Sequence, residues 1–170
     1  KDNKDVREVA VGEQAGVVLR ETPFYGESGG QVGDQGVLIV KGSDFKVRVT
    51  DVVKEAGSFL HVCDILGSQA KEPSCLKVGQ IVSAQVDSEH REAIKRAHTA
   101  THILQAVLRK VLGVHVQQAG SFVEPDRFRF DFTHFKAISA DDGKRIQGLL
   151  NDHVIKNDGL TARVMKKEEA

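Results

Sequence analysis

The stretch "DSEHREAIKRAHTATHILQAVLRKVLG", Asp87–Gly113, decides how this chain is read. Ile94, Ala97, Leu104, Leu108 and Val111 recur at helical spacing, which predicts an amphipathic helix over Glu89–Leu112. Ser88 suits the N-cap, Glu89 and Glu92 suit the positive end, and Gly113 suits the stop. His98 and His102 then lie one turn apart on the edge of the apolar stripe, where a helix borders a cleft. Two imidazoles so placed are half of the four-ligand set that zinc commonly takes. Thr99 follows the first histidine where a zinc metalloprotease needs glutamate, so that chemistry is excluded. The plain alternative is a pair of partly buried histidines bonded to their neighbours. No Cys-x-x-x-His occurs in the sequence, since Gly67 and Gly79 stand four after Cys63 and Cys75. His61, His90, His115, His134 and His153 are isolated from one another in the sequence.

Upstream of Ser88 the period is that of strands. Gly16–Leu19, Gly36–Val40, Phe45–Val53, Ser58–Ile65 and Gly79–Asp87 are short, β-branched and separated by Gly, Ser, Asp or Pro. Phe45, Val47 and Val49 alternate with Lys46, Arg48 and Thr50, as in a half-buried strand. This succession predicts a small antiparallel β-barrel over residues 1–88. Downstream, Val114–Val123, the turn "EPD" and Arg127–Phe132 predict a hairpin with Phe128, Phe130 and Phe132 on one face. A second helix follows, capped by Ser139 with Asp142 as capping-box partner and ended by Gly159; "LTARVMK", Leu160–Lys166, reads as a strand. The predicted fold class is therefore α+β: the barrel, then an open α+β sandwich (helix, hairpin, helix, strand) over residues 89–170.

Within the 170 residues, 24 basic and 24 acidic side chains cancel, which argues against a dedicated DNA- or RNA-binding module with a basic stripe. The basic residues are nonetheless uneven: Arg91, Lys95 and Arg96 cluster at the start of the helix, and Arg109 and Lys110 near its end. Two cysteines are too few for a disulfide framework, and there is no signal-peptide pattern or apolar run of membrane-spanning length. A cytoplasmic protein without membrane or DNA partners is expected. A chain that opens on Lys1 and closes on "VMKKEEA" is expected to be a piece of a longer polypeptide.

"FYGESGGQVGDQG", Phe24–Gly36, holds five glycines in thirteen residues. Such density lets a backbone approach a phosphate or form successive tight turns. It matches neither the P-loop nor the dinucleotide fingerprint, and a glycine-rich hairpin within a barrel remains the structural alternative. Gln118 and Ser121, on the strand after the histidine helix, are candidates to line a pocket; an exposed strand face is the alternative.

Together these stretches resemble the editing region of alanyl-tRNA synthetase. "TPFYGESGGQVGDQG" is similar to that family's glycine-rich motif, "RAHTATHILQAVLRKVLG" to its first zinc-binding helix, and "HVQQAGSFVEPDRFRFDFTHFKAIS" to the hairpin and second-helix entry that follow. The order and spacing of the three also match, over roughly residues 10 to 170. The resemblance implies hydrolysis of tRNA(Ala) mischarged with serine or glycine, a reaction required because a pocket for alanine rejects those two amino acids poorly. It implies zinc held by His98 and His102, with the remaining Cys and His ligands beyond Ala170, and a pocket drawing on Thr101, Gln118 and Ser121. Whether the metal activates a water or anchors the substrate stays open. Gly29, Gly30, Gln31, Arg91, Lys95 and Arg96 are candidates for contact with the tRNA acceptor end, mostly through phosphates. ATP and magnesium would belong to other parts of the parent synthetase. Ala119 departs from the family, which often has Lys between the Gln and the Gly.

The wording of "FYGESGGQVGD" favours a synthetase fragment over a free-standing trans-editing protein of the same superfamily. The editing domain of threonyl-tRNA synthetase has a similar helix but lacks the preceding barrel. A non-catalytic tRNA-binding module is the reading from a different class. With half a donor set, this chain alone is expected to bind zinc weakly and to hydrolyse little.

Overall fold

The computed structural model describes residues 5–68, 75–157, 159, 161, 164 and 165. They form two compact units that interleave along the chain, one of residues 1–99 and 119–131, the other of residues 100–118 and 132–170. The division falls inside a long helix and a hairpin and follows no linker.

The first unit is built on antiparallel strands: β1 (Glu8–Ala10), β2 (Gln14–Val18), β3 (Gly36–Val40), β4 (Lys46–Glu55), β5 (Ser58–Gly67), β6 (Cys75–Lys77) and β7 (Val82–Val86). Five of them make one sheet in the order β2-β5-β4-β3-β7, and β1 pairs with β6. Alternation fixes the buried face. Phe45, Val47 and Val49 are buried, and so are His61, Cys63 and Ile65 on β5. A bulge between Val49 and Asp51 shifts the register, so the next inward residue on β4 is Val52. Leu38, Val40, Ala15 and Phe24 complete this core, each large apolar side chain contributing roughly 1.5–3 kcal/mol of burial.

The α+β class predicted from the sequence is the class observed, but the barrel does not close among the described residues. Closure requires edge strands β2 and β7 to pair. Instead β6, just ahead of β7 in the chain, pairs with β1 in the register Val9↔Leu76, and both of those residues are buried against the core. These two short strands were not legible as strands, being three residues each.

Helix α1 (Ser88–Leu112) starts one residue earlier than predicted. Its cap is Asp87 in place of Ser88: the Asp87 Oδ1 accepts from the His90 backbone N–H at 3.0 Å. Strands β8 (Gln118–Val123) and β9 (Phe128–Phe132) form the expected hairpin. Its turn is closed by the Glu124 N–H donating to the Arg127 carbonyl at 2.9 Å.

The second unit buries Val107 and Leu108 of α1, Val116, and Ile146 of helix α2 (Ala140–Lys156). Ser139 caps α2 as predicted, accepting from the Asp142 N–H at 3.1 Å while its hydroxyl donates to the Asp142 carboxylate at 2.7 Å. The helix ends at Asn157, not Gly159, because Asn157 takes the left-handed conformation at φ 50° and its N–H closes on the Val154 carbonyl. The strand expected over Leu160–Lys166 lies largely outside the described residues. No helix among those residues is long and apolar enough to cross a membrane.

Candidate functional site

The glycine-rich segment is a connection between β2 and β3 folded by its own turns. Ser28 and Gln31 form a bridge, with the Ser28 N–H donating to the Gln31 carbonyl at 3.2 Å and the Gln31 N–H to the Ser28 carbonyl at 3.0 Å. Gly29 and Gly30 between them have φ of 62° and 81°, the left-handed pair that a tight two-residue turn demands. The turn then lies along β8: the Val123 N–H donates to the Gly30 carbonyl at 2.8 Å, the Val32 N–H donates to the Val123 carbonyl at 3.2 Å, and the Ser121 hydroxyl donates to the Gly29 carbonyl at 3.3 Å. Residues some ninety positions apart in sequence are joined by the two backbone bonds and the one side-chain bond.

Two anchors hold the segment in place. Asp34 is buried and accepts from the Tyr25 N–H at 2.5 Å and from the Arg91 Nε at 3.2 Å. A second Arg91 nitrogen donates to the same carboxylate and, at 2.7 Å, to the Pro23 carbonyl. The Asp34 carboxylate holds the Arg91 guanidinium above its ordinary pKa, against burial, which acts the other way. The second anchor is Thr22. Its hydroxyl lies 2.7 Å from His61 Nε2, and His61 Nδ1 donates to the Val17 carbonyl at 2.8 Å. Because a carbonyl only accepts, Nδ1 carries the proton and Nε2 accepts from Thr22. Burial lowers the His61 pKa. Burial likewise pushes the Cys63 thiol up to about 12, so it is a packing residue and not a nucleophile. Both cysteines are free.

The residues singled out in the sequence are placed as follows. His98, half-buried on α1, has its Nδ1 at 2.6 Å from Gln31 Oε1, so the glycine-rich turn and the histidine helix meet through these two side chains. His102 is exposed, four residues on along the same helix, and Thr101 beside it is buried. Gln118 is exposed at the start of β8, while Ser121 is half-buried and bonded to Gly29. Gly29, Gly30 and Gln31 form the turn itself. Arg91 is committed to Asp34 and Pro23. Lys95 is exposed and paired with Glu92 at 2.6 Å, a contact that lowers the Glu92 pKa, and Arg96 is exposed.

Sequence reasoning missed Asp34, Thr22 and His61 as the supports of the loop. For His61 the signal was present, since it shares the inward parity of Cys63 and Ile65. It also set His115 and His134 apart, whereas the fold brings His115 Nε2 to 2.9 Å from His134 Nδ1, with Phe135 stacked on His115 at 4.5 Å.

As a donor set, two helical imidazoles fit part of a zinc site. A ligating histidine usually has its second nitrogen held by an oxygen acceptor, and Gln31 supplies that acceptor to His98. No group of three or more His, Cys, Asp or Glu is assembled for a metal among the described residues.

Residues 1–90 match the family model of class II (A) tRNA synthetases. Over its whole length the chain is 45% identical to alanine–tRNA ligases of Bradyrhizobium diazoefficiens and Nitrobacter winogradskyi, and 45% identical to that of Halorhodospira halophila. It spans only 18–19% of the length of these relatives. The chain belongs to the class II (A) tRNA synthetase family.

Proposed function

We propose that this chain is the part of an alanine–tRNA ligase that takes part in hydrolysing the ester of tRNA(Ala) mischarged with serine or glycine. The observation that carries the reading is the junction of the glycine-rich turn with His98 through Gln31. A loop rich in backbone donors is thereby fastened to the helix that bears the two histidines. A synthetic pocket for alanine rejects glycine and serine only weakly, and a separate hydrolytic site answers that need.

His98 and His102 would hold zinc, with further donors from outside the described residues. When bound, the metal supplies Lewis-acid polarisation and a fixed anchor for the substrate. The chain's own groups do the rest. Thr101, Gln118 and the Ser121 hydroxyl orient the aminoacyl group and the attacking water, and the turn at Gly29 and Gly30 offers backbone to the acceptor end. Lys95 and Arg96, exposed on the first turns of α1, contact phosphates. Arg91 keeps the loop in shape through Asp34. ATP and magnesium serve other parts of the ligase, and the protein acts in the cytoplasm.

The test is deacylation of seryl-tRNA(Ala) by the complete ligase carrying this sequence. His98→Ala should lower that rate about 100-fold or more, roughly 2.7 kcal/mol of transition-state stabilisation, with aminoacylation by alanine unchanged. Undiminished deacylation would refute the assignment.

A further inference from the structure

We infer that Gln31 is a positioning residue that fixes the tautomer of His98, so that Nε2 is the nitrogen offering its lone pair. This rests on the reading of His98 as a metal donor. The geometry starts from the backbone. Gln31 is tied on one side to Ser28 in the tight turn and bridged on the other to Val123 of β8. Gly30 permits that fit: a Cβ there would stand 2.2 Å from the Ser121 carbonyl oxygen. With both flanks fixed, the Gln31 side chain loses little further freedom in reaching α1, where its Oε1 lies 2.6 Å from His98 Nδ1.

An amide oxygen has no proton to give. The contact therefore requires Nδ1–H on His98, and a neutral imidazole with Nδ1 protonated has its acceptor lone pair at Nε2. A single neutral hydrogen bond biases such a two-state choice roughly five- to tenfold. The same bond fixes the ring plane. The Gln31 amide oxygen is turned to the histidine helix.

The experiment is long-range proton–nitrogen NMR on this chain, at a pH where His98 is neutral, for wild type, Gln31→Ala and Gln31→Glu. Wild type should show His98 with Nδ1 protonated. Gln31→Ala should move it toward the Nε2-protonated form, and Gln31→Glu, which keeps an oxygen acceptor, should restore it. Retained shifts of the Gly30 and Val123 amides would show that the turn is intact. An Nε2-protonated His98 in wild type, or a tautomer unmoved by Gln31→Ala, would overturn the inference. Cobalt(II) titration of the same samples tests the underlying reading separately. Binding that perturbs His98 and weakens about 10- to 100-fold in Gln31→Ala supports both. Failure of cobalt to perturb His98 in wild type overturns the metal reading and leaves the tautomer result to be judged by its own spectrum.

Discussion

Gly30 and Ser121 lie so close that a Cβ on the glycine would stand 2.2 Å from the serine carbonyl oxygen. Gly30 is also at φ 81°, whereas Gly29, at φ 62°, has nothing within 4 Å of its would-be Cβ. The two neighbours should therefore differ sharply. Gly30→Ala is expected to destabilise the protein by roughly 3 kcal/mol, through clash and strain together. Gly29→Ala should cost only about 1–2 kcal/mol for the left-handed conformation. Urea unfolding of both variants measures the difference, and equal losses would deny the close approach.

The Arg91–Asp34 contact predicts a second effect. Asp34 is 2% exposed and the Arg91 side chain 37% exposed, so the pair lies between a surface bridge and a buried one. Removing the cation with Arg91→Met leaves a buried carboxylate short of donors. The expected cost is roughly 2 kcal/mol, below the 3–5 kcal/mol of a fully buried pair because water reaches the arginine. Arg91→Lys keeps the charge but loses the fork that serves both Asp34 and Pro23, and should recover only part of the loss. Thermal unfolding ranks the three proteins.

Much of this fold was legible because burial parity is written into the strands. The inward series Phe45, Val47 and Val49 and the helical period after Asp87 could be read directly, as could the capping box at Ser139. What was not legible is long-range. Strands of three residues such as β1 and β6 carry too few side chains for a period, and they pair with each other outside the five-stranded sheet. The histidine pair was legible from its spacing. Its connection to Gln31, 67 positions away, was not, because hydrogen-bond partners at that separation depend on how β8 receives the glycine turn.

The hairpin joining β4 to β5 offers a stabilising substitution. Glu55 pairs with Ser58 across a two-residue turn, Ala56-Gly57, and Ala56 is held at φ 48°. That conformation favours Asn or Gly over Ala. Ala56→Asn should raise stability by about 0.5–1 kcal/mol, seen as a higher urea midpoint with an unchanged slope. A lower midpoint would show that the turn is not limited by this strain.

His61 predicts a pH dependence. Burial lowers its pKa below the ordinary 6.5, which the unfolded chain retains. Below that pH the unfolded state takes up a proton that the folded state resists. The contribution of His61 is thus present in full above about pH 6.5 and is lost as the pH falls toward its lowered folded value, with a slope of at most about 1.4 kcal/mol per pH unit. Urea unfolding between pH 8 and pH 5 should show this loss in wild type and a shallower one in His61→Gln, which starts from a lower stability.

The measurement that bears most directly on the account is a zinc titration of this chain, of His98→Ala and of His102→Ala against a chromophoric chelator. The account predicts weak binding by wild type that each substitution abolishes, the behaviour of two helical donors awaiting the rest of their set. Zinc affinity that neither substitution changes, or no binding in wild type, would contradict the assignment of these histidines as a metal donor pair.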